Sequence, residues 1–175
     1  MISKLFLKGI FVAFLIMSFV PKVHAQWYTK RDKDEMTGEQ SNYAHSPSTT
    51  ATEPMDFPYG GTKAWFGVGC SGPNEWVYIG FSNEPNLNNT TTEDGYNRIN
   101  TRIKFDDKIK NVTLTQEWGD KFLNFTYGSE IIPKLIKSNT VLLELDWHGE
   151  GSTYFRFSLD GSAKAIEKIR QRCSN

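Results

Sequence analysis

Apolar residues recur at every second position over most of the chain, the period of strands that turn one face to a core and the other to water. Ala64, Phe66, Val68 and Cys70 fall on one side of a first run, and Val77, Ile79 and Phe81 on one side of a second. Ser71-Gly72-Pro73-Asn74 lies between the two, so they read as a hairpin. Thr101, Ile103 and Phe105 alternate with Arg102 and Lys104 in a third strand; Val112, Leu114 and Gln116 mark a fourth, and residues 122–127 a further candidate. The clearest alternation, Val141, Leu143, Leu145 and Trp147, passes through His148-Gly149-Glu150-Gly151 into Thr153, Phe155, Phe157 and Leu159. This is the firmest hairpin signal in the chain.

Near residue 160 the period becomes helical. Ile166, Ile169 and Cys173 repeat on one face, Lys164, Glu167, Lys168, Arg170 and Arg172 lie outside it, and Asp160 and Gly161 are placed to cap and bend the start. Residues 130–137 are a shorter helical candidate with Ile131, Leu135 and Ile136 for burial, provided that Pro133 falls in the first turn. The polar stretch 82–96 reads as a loop. Residues 43–58, rich in Ser, Thr, Pro and Ala, read as an irregular connection. Ahead of it, residues 26–40 carry only Trp27, Tyr28 and Met36 with which to pack on the body. The fold class expected is mostly β (α+β), an antiparallel β-sandwich or curved sheet with a C-terminal amphipathic helix.

The N-terminus changes this picture by exclusion. Lys4 and Lys8, an apolar stretch from Gly9 to Val20, and Val23-His24-Ala25 before Gln26 have the form of a secretory signal peptide. The chain therefore divides into residues 1–25 as signal peptide, 26–61 as an N-terminal segment and irregular linker, and 62–175 as a β-rich domain with its helix. The apolar stretch is short for a membrane span, so no membrane insertion is expected once it is cleaved. Without Lys4, Lys8 and Lys22, 17 basic side chains face 20 acidic ones. That mildly acidic balance gives no electrostatic footprint for nucleic acid. In an oxidising compartment, periplasmic or extracellular, the pair Cys70 and Cys173 is expected to form a disulfide.

Candidate chemistry is sparse. Acyl transfer needs a nucleophile, a base and a group that orients the base, and after residue 25 only His45, in the irregular stretch, and His148, in a Gly-bracketed turn, remain. Two histidines and a paired cysteine do not make a zinc site, Asp106-Asp107 reads as a polar strand end, and no phosphate-cradling or calcium-loop motif occurs. No metal, cofactor or catalytic set is therefore assigned. One enzymatic alternative is a cell-wall glycan hydrolase, or a related lysozyme-inhibitor-like protein, using Glu144 and Asp146 on the outer strand face near Trp147. Aromatic residues are more suggestive. Trp65, Trp76 and Tyr78 lie on the strand faces opposite to Phe66, Val77 and Ile79, so they either pack under a second sheet or form a contact surface. Arg102, Lys104 and Arg156, on neighbouring outer faces, are further candidate contact residues.

Taken in order, several segments resemble the type VI secretion-associated VasI-like family of exported bacterial proteins. They are Trp27 followed by Asp34-Glu35-Met36-Thr37-Gly38, similar to that family's Asp-Pro-Met-Thr-Asp; Cys70 after an apolar strand; Thr101-Arg102-Ile103-Lys104-Phe105-Asp106, similar to its Tyr-Arg-Ile-Asp strand; and Phe155-Arg156-Phe157-Ser158-Leu159-Asp160-Gly161 leading into a helix that ends at Cys173. Glu35 and Gly38 stand where the family has a proline and an aspartate, and Lys104 where it has an aspartate. The resemblance implies an exported, non-catalytic accessory protein, typically periplasmic, that binds another envelope protein.

Overall fold

The computed structural model describes residues 26–174; the signal-peptide reading of residues 1–25 lies outside the described residues. In chain order the elements are β1 (Tyr28–Lys33), β2 (Gln40–His45), β3 (Thr49–Thr50), β4 (Lys63–Ser71), β5 (Asn74–Phe81), β6 (Thr90–Glu93), β7 (Tyr96–Phe105), β8 (Lys108–Glu117), β9 (Phe122–Phe125), α1 (Gly128–Lys137), β10 (Thr140–Trp147), β11 (Gly151–Ser158) and α2 (Ser162–Cys173). All strands join one 11-stranded antiparallel sheet of order β1-β2-β4-β5-β9-β8-β7-β10-β11, with β3 beside β4 and β6 beside β7.

Strong curvature folds this sheet over on itself, so that its two halves share one core. Phe66 of β4 meets Phe157 of β11 edge-on at 5.1 Å, and Phe81 of β5 meets Phe155 of β11 at 5.5 Å. The residues expected on the inner faces, from Ala64 through Phe157, are buried as the alternation requires. Gln116 belongs to that face too and is satisfied there, its amide donating to the carbonyls of Pro85 and Asp120. The sheet stops short of a closed barrel. A strap formed by β3 and Ala51 links β4 to β11, through the Ala51–Phe155 bridge and the Thr52 N–H donating to the Tyr154 carbonyl at 2.7 Å.

Both helices cover the core where the sheet leaves it open. α2 buries Ala165, Ile166 and Ile169 against β2 and β4, and Cys173 closes the expected disulfide with Cys70. Arg170 grips Glu75 of β5 in a two-pronged ion pair at 2.6 and 2.9 Å. Two local expectations are corrected here. Asp160 does not cap α2: the N-cap is Gly161 at φ +82°, and the Asp160 carboxylate accepts from Gln26 instead. Pro133 lies beyond the first turn of α1, exposed, while Ile131, Ile132 and Leu135 of that helix are buried. Burial of those three side chains offsets the hydrogen bond that the proline removes.

The N-terminal segment departs furthest from its reading. Residues expected to be irregular form the end of β2 and all of β3, with Ala44 and Ser46 buried and the Ser46 hydroxyl accepting from the Phe66 N–H. β1 is the outermost strand; Trp27 before it is buried and donates to the Ser158 carbonyl, whereas Met36 is exposed and Tyr28, also exposed, meets the body through an edge contact to His45. Within the stretch read as a loop, Thr90–Glu93 pairs with the start of β7.

Candidate functional site

The hairpin β4–β5 sets the site through its pairing. On its outer face each rung pairs an aromatic residue with a glycine: Trp65 with Gly80, Tyr78 with Gly67, Trp76 with Gly69. A Cβ at Gly80, Gly67 or Gly69 would lie 2.4, 2.2 or 2.3 Å from the ring opposite, so each ring lies flat on bare backbone. Among the described residues no second sheet covers these rings. They form the floor of a trough, and upright rings on the flanking strands form its walls. On the β9 side Phe122 stands at 83° to Trp65 and 82° to Tyr78. On the β2 side Tyr43 stands at 76° to Trp76 and 80° to Tyr78, with His45 stacked beside it at 15°. Tyr28 of β1 adds an edge contact to His45. The enclosed volume is about 430 Å³, rimmed by Lys30, Asp32, Asp120 and Asn124.

The polar groups of this trough fall into two sets. His45 Nε2 and the Tyr78 hydroxyl share a hydrogen bond of 2.6 Å where the wall meets the floor. Burial holds the Tyr78 phenol protonated, well above its ordinary value. It also lowers the His45 pKa, helped by the positive charge of Lys30. By contrast, the side chains of Lys30, Asp32 and Asn124 make no hydrogen bond to another described residue, and the four ion pairs of the described residues, Arg98–Glu93, Arg102–Glu144, Lys110–Glu130 and Arg170–Glu75, all lie elsewhere. These three are left free to meet a ligand, whereas Asp120 accepts the Lys121 N–H.

A folded-state pKa below the unfolded value for His45 means that the unfolded chain takes up its proton first as pH falls. The stabilising contribution is whole above about pH 6.5, the ordinary histidine value, and is lost as pH falls toward the folded value. The protein is therefore expected to lose thermal stability between pH 7 and 5, and a His45→Gln variant to show a flatter profile, read from Tm across a pH series. Glu93, Glu130 and Glu144, held beneath the usual carboxylate range by their ion-pair partners, titrate below that window.

Trp65, Trp76 and Tyr78 thus belong to one site, but the candidate basic residues do not join them. Arg102, Lys104 and Arg156 lie on the outer face of β7 and β11, beyond β9 and β8 in the sheet. Arg102 is engaged by Glu144 at 2.5 and 2.7 Å, and Lys104 and Arg156 flank Leu142. The proposed carboxylate pair fares no better as catalytic chemistry. Arg102 holds Glu144 ionised, with Tyr154 as a further donor, the opposite of the raised pKa that a general acid needs. Asp146 accepts from Asn88, and Trp147 points away into the core against Tyr59, Phe81 and Phe155. His148 sits exposed in its turn beside Asn88. Asp106 has a structural task, its carboxylate accepting the backbone N–H groups of Asn139 and Thr140.

A larger hollow of about 580 Å³ lies between β7, β8 and the start of α1. Thr113 bonds Asn100, Lys110 bonds Glu130 and Arg102 is committed to Glu144, while Asn111 and Tyr127 are unengaged among the described residues; the hollow lacks the row of flat-lying rings that marks the aromatic trough. No group of three or more His, Cys, Asp or Glu side chains suited to a metal occurs among the described residues, and no described helix is long and apolar enough to cross a membrane. Comparison of the chain with protein-family models, with curated proteins and with solved structures finds no match.

Proposed function

We propose that this is an exported, non-catalytic binding protein of the bacterial cell envelope, and that it holds an envelope component in the aromatic trough. The observation that carries the reading is the trough itself: three half-buried or buried rings laid flat on glycines, walled by upright rings and rimmed by Lys30, Asp32 and Asn124, whose side chains have no hydrogen-bond partner among the described residues. Aromatic faces left open to water at such a cost are what binding surfaces use. The disulfide is compatible with an oxidising compartment, and so with a periplasmic or secreted location. The resemblance to type VI secretion-associated proteins supports an accessory role near such a system. Glu144, committed to its ion pair, supports a binding function over a hydrolytic one.

Sedimentation with isolated cell-envelope material tests the reading. The disulfide-bonded protein is expected to pellet with the envelope, and a Trp65→Ala/Trp76→Ala variant of unchanged circular dichroism to stay in the supernatant. Equal pelleting of both proteins, or of neither, refutes a binding role for the trough.

A further inference from the structure

We infer that the occupant of the trough is a flat, uncharged glycan chain of equatorially linked hexose or N-acetylhexosamine units, an assignment that rests on the trough being the binding site. The floor argues this first. Trp65, Tyr78 and Trp76 occupy successive outer rungs of the hairpin, about 7 Å apart and so spread over about 14 Å. The half-buried Trp65 and Trp76 present faces rather than edges at the two ends of the row, with the nearly buried Tyr78 between them, and the face is the negative pole of an aromatic quadrupole. The complementary surface is a sheet of C–H bonds polarised by neighbouring oxygens, which is what the flat side of a pyranose ring presents. A row of such plates suits a ligand that repeats along its length. The walls stand on β2 and β9, the strands flanking the hairpin, so the trough runs in the same direction as the row of rings.

The rim argues the same chemistry. Lys30 donates only, Asp32 accepts only and Asn124 does both. A sugar hydroxyl, donor and acceptor at once, can meet all three. The rim charges are of mixed sign, Lys30 against Asp32 and Asp120, which favours a neutral chain over a phosphorylated or strongly cationic one. An aromatic cage for a single quaternary ammonium needs rings converging on one point, whereas these floor rings are strung along the hairpin.

Titration of the disulfide-bonded protein with N-acetylglucosamine hexamer, cellohexaose, the corresponding monosaccharides and choline, followed by intrinsic tryptophan fluorescence and calorimetry, tests the assignment. A hexasaccharide is expected to bind saturably and at least tenfold tighter than its monosaccharide. Trp76→Ala is expected to weaken that binding at least tenfold, and Arg156→Ala, on the far half of the sheet, to change it less than twofold. Hexasaccharide binding that Trp76→Ala leaves intact overturns the assignment, as does preference for choline. If no sugar binds while protease treatment of the envelope abolishes trough-dependent sedimentation, the occupant is a protein, and the trough keeps its binding role. If neither sugar nor envelope binding depends on the trough, the functional reading falls with the assignment.

Discussion

Replacing Cys70 and Cys173 together by serine is expected to lower the unfolding free energy by about 4 kcal/mol. The two residues are 103 positions apart, so the bridge closes a long loop and removes much of the freedom of the unfolded chain. It also anchors the last turn of α2, where Asn42 donates to Cys173 Sγ and the Cys70 side chain is buried beside the Ile169 carbonyl. Against a total stability of about 5–15 kcal/mol for a domain, such a loss is large. Urea unfolding with linear extrapolation measures it, and reductant added to the unmodified protein is expected to reproduce most of the shift. A loss below about 1 kcal/mol would mean that Ala165, Ile166 and Ile169 hold the helix without the bridge.

Gly67→Ala is expected to cost about 1–3 kcal/mol and to abolish ligand retention, because it acts on the trough from beneath. The new methyl carbon would lie 2.2 Å from Tyr78 Cζ and 2.6 Å from both Cε atoms, so the ring must lift. Tyr78 is nearly buried, hemmed in by Tyr43 and Phe122 and bonded to His45, and lifting it disturbs both walls. Gly69→Ala provides the contrast. Trp76 above it is half-buried and has solvent to move into, so that variant is expected to lose binding at a cost below about 1 kcal/mol. Denaturation midpoints paired with envelope sedimentation separate the two. Unchanged stability and unchanged binding in Gly67→Ala would mean that the flat arrangement of Tyr78 is not needed.

The core half of this architecture was legible because its signal is local. Alternation in β4, β5, β10 and β11 names the inner face residue by residue, and the period change at α2 places Cys173 inward, so the disulfide follows. β1 and β2 escaped because their inner positions carry little apolar signal: Asn42 and Ala44 face α2, and the sequence Gln40-Ser41-Asn42-Tyr43-Ala44-His45 resembles a polar connection. With them went the near wall of the trough. Trp65, Trp76 and Tyr78 were identifiable as an outer aromatic face, but Tyr43, His45, Lys30 and Asp32 reach it only through the long-range pairing of β2 with β4. One local signal was available. Glycines at positions 67, 69 and 80, alternating with aromatics across a two-residue turn, are what rings lying flat across a hairpin require.

The charged sequence of β1 has a consequence for the sheet as a whole. An unclosed sheet has two free margins, each a template on which further strands can add. At one margin Lys30, Arg31, Asp32 and Lys33 follow one another, all exposed, so any chain docking there must strip water from charged side chains. At the other, β11 is partly shielded by the bridge from Ala51 and the hydrogen bond from Thr52. The sheet is thereby kept finite and guarded against cross-β growth from the native state. Two of the guarding charges, Lys30 and Asp32, also line the trough, so neutralising the margin to alter binding would at the same time weaken the barrier to aggregation.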